Sequence, residues 1–200
     1  MTQPTIIWTG GAAELGSKCV VGLDRDGVIN EDLGTYCVHP DAFKPIAGSL
    51  EAMAELRRKG YKIAIITDQG GIEKGIMTME DVDNVHNRMY ELLGQVGCLS
   101  IDALYYSASS RKDDPFAKPN TGMFKRCEKE NKHIKFKQGY YVGDKIKDLK
   151  AALNIGAKPV LVRTGYGKET EVDLNRWAYR ELKKRTIIFD NLAEFVKTLE

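Results

Sequence analysis

The sequence predicts an α/β fold of three layers, with helices on both faces of a mainly parallel β-sheet. Short β-branched runs alternate with helical patterns along almost the whole chain. This alternation is typical of parallel strands joined by crossover helices. The runs are also continuously apolar, as expected for strands buried on both faces.

Six of these runs are predicted as strands, at 19–23, 62–67, 101–107, 139–142, 159–162 and 186–189. Helices are predicted between them, at 49–59, from Thr78 to a pair of glycines, and at 121–131, 147–154, 173–184 and 192–199. Ser49 is a suitable N-cap for the first helix. His86 lies on the apolar stripe of the second helix, so we expect it to pack against neighbours and not to bind a ligand.

The chain organisation predicts one domain over 18–200, preceded by an extension, 1–17, to which the sequence assigns no role. The chain has 200 residues, with 30 Lys+Arg against 28 Asp+Glu. This balance argues against a protein that binds nucleic acid through charge alone. The four cysteines form no CxxC pair, which predicts buried thiols in a reducing compartment. Without a signal-peptide pattern or an 18-residue apolar run, a cytoplasmic protein with no membrane partner is expected. The sequence carries no signal for an oligomeric state.

Acidic side chains follow three of the predicted strands. Asp24 and Asp26 come after the first strand, Asp68 after the second and Asp144 after the fourth. The carboxyl ends of parallel strands meet at one edge of a sheet, so these carboxylates are expected to lie close together. Crowded carboxylates repel one another, and a hard divalent cation relieves that repulsion. Mg²⁺ is the expected ion.

Lysines and glycine-rich turns accompany these carboxylates. Lys118 and Lys145 are donors suited to phosphate oxygens, as phosphoryl transfer requires. The sequence lacks GxxxxGK[ST], which argues against a P-loop nucleotide site. The acceptor of the phosphoryl group is therefore expected to be a side chain or water. Taken alone, a DxD after a strand can be a simple turn, and Lys118 can be a surface lysine.

Four segments in order resemble the motifs of the haloacid dehalogenase superfamily of phosphatases. They are LDRDGVIN (23–30), IITDQGGI (65–72), KPNTGMF (118–124) and YVGDKIKDLKAA (141–152). The resemblance extends over about 19–197 and implies a Rossmann-like fold with a minimal cap. Within the superfamily, the chain is most similar to the D-glycero-D-manno-heptose 1,7-bisphosphate phosphatases, with the histidinol-phosphate phosphatases as close relatives of that branch.

The resemblance also implies roles for individual residues. Asp24 would be the nucleophile, Asp26 the general acid and base, and Lys118 the cation that bridges Asp24 and the transferring phosphoryl group. Thr67 would hydrogen-bond that group. Mg²⁺ would be held by Asp24, the main-chain carbonyl of Asp26 and Asp144. The substrate-binding residues implied in this way are Asp32, Gly34, Asp68, Gln69, Gly70 and Lys145.

Two departures from the heptose branch concern the segment before Lys118. That branch commonly holds zinc through a Cys/His loop, but SASSRKDDPFA has neither residue, so a structural zinc is predicted to be absent. The residue before the motif-three lysine is usually an arginine that contacts the remote phosphate, and here it is Ala117. Arg111 or Lys112 is the hypothesis for a replacement.

The predicted function is that of a Mg²⁺-dependent phosphoric monoester hydrolase acting on a small phosphorylated sugar, with the heptose bisphosphate as the best match. Histidinol phosphate and a phosphorylated nucleic-acid end are alternative substrates, although the near-neutral charge opposes nucleic acid. A noncatalytic protein that binds a phosphorylated ligand is the alternative from another class.

Overall fold

A computed structural model describes residues 19–200 of the chain, and the predicted extension 1–17 lies outside them. The described chain forms a six-stranded sheet in the order β3-β2-β1-β4-β5-β6. All five neighbouring pairs are parallel, so the predicted parallel sheet is confirmed. The strands are β1 (Val20–Leu23), β2 (Lys62–Asp68), β3 (Ala103–Ser107), β4 (Tyr140–Gly143), β5 (Lys158–Val162) and β6 (Ile187–Phe189).

Seven α-helices accompany the sheet in residues 19–200. They are α1 (Ser49–Arg58), α2 (Met79–Gln95), α3 (Gly122–Glu130), α4 (Ile146–Ile155), α5 (Gly167–Leu174), α6 (Arg180–Arg185) and α7 (Leu192–Lys197). Two short 3-10 helices, Pro40–Ala42 and Trp177–Tyr179, lie in the connections. No helix of the described chain combines the length and the apolar character that crossing a membrane requires.

Alternate strand residues point into two separate helical layers. In β2, Ile63 and Ile65 pack into a core with α1, α2 and α7, whereas Ala64 and Ile66 pack with α3 and α4. A smaller core joins α4, β5, α5 and α6. Both faces of the sheet are therefore buried, which explains why the strand sequences are continuously apolar. The three-layer α/β/α fold is confirmed.

The order in which the chain adds strands to the sheet reverses at β1. From β1 the chain adds β2 and β3 on one side and then β4, β5 and β6 on the other, so β1 is flanked by β2 and β4. Leu23, the last residue of β1, pairs with Ile65 of β2 and with Val142 of β4, so β4 ends one residue and β2 three residues beyond the end of β1. Open parallel sheets bind ligands at such a reversal point, beyond the carboxyl ends of the strands.

The connections at this edge contain little regular structure, as expected for a minimal cap. Between β1 and α1, the described chain has only the 3-10 helix Pro40–Ala42, and between β2 and α2 it has no regular element. Thr78 caps α2 with its side chain, which accepts from the Asp81 amide, and the Asp81 carboxylate accepts from the Thr78 amide. This capping box fixes where the loop after β2 ends.

The structure corrects the predicted helices in two places. The N-cap of α1 is Gly48, because the Ser49 hydroxyl donates instead to the Val28 carbonyl at 2.8 Å. The single helix predicted at 173–184 is in fact α5, the 3-10 helix and α6 in succession. Arg176 has an extended backbone, with φ −67° and ψ 141°, and this breaks the helical path between them.

Candidate active site

A cleft of about 430 Å³ opens at the carboxyl edge of β1, β2 and β4. Polar and charged side chains dominate its walls, which contain most of the residues expected to bind substrate or perform chemistry. The complete lining is Asp24, Asp26, Asp32, Gly34, Thr35, Tyr36, Thr67, Asp68, Gly70, Lys74, Ser110, Lys145, Lys147 and Tyr166.

Asp24 lies at the base of the cleft in contact with a buried lysine. Its Oδ2 is 2.9 Å from Lys118 Nζ, and its Oδ1 accepts a hydrogen bond from the Arg25 amide at 2.8 Å. Burial opposes ionisation of this carboxyl group, but the charges of Lys118 and Lys147 outweigh burial and hold its pKa below the usual range. Asp24 is therefore ionised at neutral pH, which is the form a carboxylate nucleophile requires.

Lys118 bridges two carboxylates behind the cleft. Its Nζ lies 2.7 Å from Asp148 Oδ1 in addition to the Asp24 contact, and it also donates to the Tyr141 hydroxyl at 3.1 Å. Burial disfavours the ammonium form, yet the charges of Asp148 and Asp24 prevail and raise the pKa of Lys118 well above its usual value. A buried, permanently charged ammonium in this position can offset the repulsion between Asp24 and an incoming phosphate.

Asp26 has several hydrogen-bond donors around its carboxylate. Arg25 donates from Nε and Nη2, Asn30 Nδ2 lies 2.8 Å from Oδ1, and Gln69 Nε2 lies 3.0 Å from Oδ2. Burial raises the pKa of this carboxyl group, but the Arg25 charge and the hydrogen bonds lower it by more, so the net pKa lies below the usual range. The side chain remains 25% exposed and faces the cleft.

Asp144 is fully buried beside Asp24 and Asp148, and one carboxylate oxygen of each residue lies within 4.8 Å of the other two. Its Oδ2 accepts from the Tyr166 amide at 2.9 Å, whereas its Oδ1 has no hydrogen-bond donor among residues 19–200. Burial, followed by the neighbouring Asp148 charge, raises the pKa of Asp144 to about 7.

These observations test whether the predicted ion fits. A buried carboxylate oxygen that lacks a donor, next to a second carboxylate, suits a hard cation with oxygen ligands. Asp148 is already engaged, since Oδ1 contacts Lys118 and Oδ2 accepts from the Lys145 amide at 3.0 Å. The carboxylates of Asp24 and Asp144 therefore fit Mg²⁺ better than that of Asp148. Gly27 supports this arrangement, because its φ is +84° and a Cβ there would collide with the Asp144 carboxylate.

The residues at the end of β2 divide into two groups. Thr67, Asp68 and Gly70 line the cleft, but Gln69 lies behind its wall. The Gln69 amide donates to the Ser107 carbonyl at 2.7 Å, and its side chain contacts Asp26 and the Thr67 hydroxyl. Although Gln69 is expected to touch substrate, its contacts in the structure are those of a residue that supports Asp26.

The loop after Asp26 forms the opposite wall. Asp32 Oδ2 lies 2.7 Å from Lys145 Nζ, and Asp32 Oδ1 accepts from the Gly34 amide at 2.9 Å. The Lys145 ammonium also lies 4.6 Å from the centre of the Tyr166 ring. Burial opposes its charge, but Asp144 and Asp32 raise the pKa of Lys145, so it stays cationic.

Comparisons with known proteins find similar phosphatases. The family model described as polynucleotide kinase 3 phosphatase matches residues 28–158. A D-glycero-beta-D-manno-heptose-1,7-bisphosphate 7-phosphatase of Pseudomonas putida is 34% identical over 177 residues, which cover 88% of this chain and 97% of that protein. The enzyme of the same name from Neisseria meningitidis is 34% identical over 174 residues, covering 86% of this chain and 90% of that protein.

The chain belongs to the haloacid dehalogenase superfamily of phosphatases. A solved member with a similar fold is the D,D-heptose 1,7-bisphosphate phosphatase from B. bronchiseptica, in complex with magnesium and phosphate. It aligns with a TM-score of 0.80 and 27% identity, covering 90% of this chain and 97% of that one.

The departure at Ala117 from the heptose branch of the superfamily has a structural counterpart. Ala117 is fully buried, so its side chain lies outside the cleft. Arg111 pairs with Glu73 at 3.1 Å and with Asp113 at 3.2 Å, and neither Arg111 nor Lys112 lines the cleft. Their proposed contact with substrate stays a hypothesis.

Sequence reasoning missed several residues that line the cleft of this superfamily member. Tyr36, Lys74 and Ser110 come from loops without a recognisable motif. Lys147 lies in the fourth motif, which by itself implies no role for it, and its Nζ contacts Asp68 Oδ2 at 2.7 Å. Asp68 itself is the signal that could have found it, because a carboxylate at the end of an apolar strand needs a cationic partner.

Proposed function

We propose that this protein is a Mg²⁺-dependent phosphatase of a small phosphorylated sugar, with D-glycero-D-manno-heptose 1,7-bisphosphate as the first candidate substrate. The observation that carries the proposal is the contact of Asp24 with Lys118 beside the donor-free oxygen of Asp144. The names of the relatives, which match nearly the full length of the chain, support the choice of sugar. The four free cysteines support the cytoplasmic location.

In the proposed reaction, an Asp24 oxygen attacks phosphorus and forms an aspartyl-phosphate as the bond from phosphorus to the sugar oxygen breaks. Asp26, whose low pKa leaves it ionised in the resting structure, first takes up a proton from solvent as the negative charge of the substrate enters the cleft. It gives that proton to the sugar oxygen and then takes one from the water that hydrolyses the intermediate. Asp24 is ionised in the resting structure, as this attack requires. Thr67 hydrogen-bonds the phosphoryl group, and the Lys118 ammonium balances its charge.

The carboxylates of Asp24 and Asp144, with the main-chain carbonyl of Asp26, would hold Mg²⁺. When bound, the ion supplies positive charge that polarises the phosphoryl oxygens. Asp148 holds Lys118 in place and accepts from the Lys145 amide, so its removal would disturb both sides of the site.

The rest of the substrate is proposed to contact Asp32, Gly34, Asp68, Gly70 and Lys145. These residues offer both acceptors and donors for sugar hydroxyl groups. Two further lysines of the cleft wall, Lys74 and the Asp68-paired Lys147, are the candidate cations for a second phosphate in place of the arginine that Ala117 replaces. Lysine ammonium groups are point charges and lack the paired donors of a guanidinium, so weaker binding of that phosphate is expected.

A second candidate substrate is a 3′-phosphorylated nucleic-acid end, which the description of the matching family model favours. Against it, most cations of the cleft are already paired with carboxylates, as Lys145 is with Asp32. A nucleic-acid backbone needs unpaired cations along its path. Histidinol phosphate is a third candidate substrate, and noncatalytic binding of a phosphorylated ligand is the candidate function from another class.

The test is phosphate release from a panel that contains heptose 1,7-bisphosphate, other sugar phosphates, histidinol phosphate and a 3′-phosphorylated oligonucleotide. Each compound is assayed with Mg²⁺ and with EDTA. We expect Mg²⁺-dependent turnover to be fastest on the heptose bisphosphate and to disappear in Asp24→Asn. Equal inactivity of wild type and Asp24→Asn on every compound would contradict an enzymatic function, and faster turnover of another panel member would reassign the substrate.

A further inference from the structure

Arg25 is a completely buried charge between the two aspartates proposed to carry out the reaction. A guanidinium is tolerated in the interior only when its charge is paired and its donors are satisfied. Asp26 pairs the charge, because Arg25 Nη2 lies 2.9 Å from Oδ2 and Nε lies 3.2 Å from Oδ1. Nη2 also donates to Gln69 Oε1 at 3.1 Å.

The remaining terminal nitrogen of Arg25 contacts a residue from a distant part of the chain. Arg25 Nη1 lies 3.2 Å from Nε2 of His86, which is fully buried on α2. A guanidinium can only donate, so Nε2 must be the acceptor and the imidazole is neutral with its proton on Nδ1. Burial and the Arg25 charge lower the pKa of His86 well below its usual value, which agrees with this tautomer. Among residues 19–200, His86 Nε2 is the hydrogen-bond acceptor for Arg25 Nη1.

The same guanidinium determines where the Asp26 carboxylate lies. Three of the contacts to Asp26 come from Arg25, and Asn30 and Gln69 supply the other two. Proton transfer needs the donor and acceptor atoms within hydrogen-bond reach, so a small rotation of this carboxylate would slow it. An Arg25 side chain that loses its Nη1 acceptor is free to rotate toward another acceptor and to draw Asp26 with it.

We propose that His86 is a positioning residue, which fixes the Arg25 guanidinium and through it the Asp26 carboxylate for proton exchange with the leaving group. The inference rests on the proposed function, since it gives His86 a task only if Asp26 protonates the leaving oxygen. It adds to that function a residue of α2 that lies 61 positions from Arg25 and outside the cleft.

The test compares two leaving groups in the Mg²⁺-loaded enzyme. An alkyl phosphate needs a proton on its leaving oxygen, whereas p-nitrophenyl phosphate releases a stable anion. His86→Leu removes the acceptor, and His86→Gln returns an acceptor near the position of Nε2. Asp26→Asn supplies the reference pattern for lost proton transfer. The quantity measured is kcat/KM, because it covers the steps up to departure of the leaving group.

We expect His86→Leu to lower kcat/KM about 10- to 100-fold for the alkyl substrate and less than about threefold for the aryl substrate. His86→Gln should stay within about threefold of wild type on both substrates. Thermal unfolding and circular dichroism of each variant establish that it is folded. If His86→Leu does not fold, His86→Asn carries the test, because its shorter side chain falls short of Arg25 and should show the same selective loss.

The positioning role would be overturned if His86→Leu lost kcat/KM equally on both substrates or on neither. It would also be overturned if His86→Gln were as impaired as His86→Leu. In those cases the active wild type leaves the proposed function standing. A wild type without Mg²⁺-dependent phosphate release from these two substrates and from every compound of the panel would overturn the proposed function and this inference with it.

Discussion

Removing the Asp144 carboxylate should stabilise the metal-free protein at alkaline pH while abolishing its response to Mg²⁺. The pKa of Asp144 rises from its ordinary value of 3.8 to about 7, first through burial and then through the Asp148 charge. The folded state therefore binds more protons than the unfolded state between these values. The free energy of unfolding must fall as pH rises through this window.

The size of this effect follows from the two pKa values. A tenfold change in proton affinity is worth about 1.4 kcal/mol. The rise from 3.8 to about 7 thus makes the ionised carboxylate cost at most roughly 4 kcal/mol of folding free energy above pH 7. Asp144→Asn removes that charge and can still accept from the Tyr166 amide. At about 2–4 °C per kcal/mol for a chain of this size, we expect the Tm in EDTA to rise by at most roughly 8–16 °C at pH 8. At pH 5 the rise should be smaller, roughly 3–6 °C, because ionisation of the unfolded chain has by then cost only about 1.6 kcal/mol.

The assay is differential scanning fluorimetry of wild type and Asp144→Asn at both pH values, in EDTA and in Mg²⁺. The wild type should gain Tm from Mg²⁺ mainly at pH 8, where the carboxylate is ionised, and the variant should gain little. Asp41→Asn, on the exposed 3-10 helix, is the matched control and should behave as wild type. A lower Tm for Asp144→Asn in EDTA at pH 8, or an equal Mg²⁺ response at both pH values, would refute the reasoning.

Three further changes test other parts of the site and the fold. Lys118→Met should abolish turnover and lower the free energy of unfolding by about 3–5 kcal/mol in urea titrations at pH 8, because Asp24 and Asp148 are left buried without their cation. An unchanged free energy of unfolding would contradict the buried pairing. Lys147→Met should raise KM more for a bisphosphorylated sugar than for its monophosphate, and an equal change on both would argue against a remote-phosphate contact. Gly167→Ala should cost about 1–3 kcal/mol in the same titrations, because a Cβ there would collide with the Val162 carbonyl, and a neutral effect would contradict that close approach.

Lys150→Met is the control for the lysine substitution. Lys150 is exposed on the same helix, α4, and its ammonium lies 5.0 Å from the centre of the Tyr179 ring, away from the cleft. It should leave KM unchanged for both sugars. A matching change in this variant would indicate a general effect of charge and not a contact of Lys147 with substrate.

The parts of the site that could be predicted depend on backbone topology. Asp24 and Asp144 come directly after apolar runs, and the parallel alignment of β1 and β4 carries both to one edge. The burial of both faces of β2 likewise follows from its continuously apolar sequence. Short-range patterns are enough for these features because each depends on where a strand ends.

The parts that could not be predicted depend on contacts between distant segments. The contact of His86 with Arg25 requires α2 to pack over the loop after β1, and no local pattern encodes that approach. The start of α5 at Gly167 has no local sequence signal either. Gly167 begins α5 because it lies against the Val162 carbonyl, where a side chain would not fit, whereas a glycine in a polar segment suggests a loop.

The pairing of charges in the cleft explains how a chain with a net charge of only +2 can hold a multiply charged substrate. Asp32 contacts Lys145 and Asp68 contacts Lys147, both at 2.7 Å, and Asp24 contacts Lys118 at 2.9 Å. Asp144 differs from these carboxylates, since its nearest ammonium is 4.0 Å away and one of its oxygens lacks a donor. A divalent cation adds more positive charge than Asp144 alone neutralises. The surplus can act on a phosphate dianion without separating the existing pairs, so metal and phosphate should favour each other's binding.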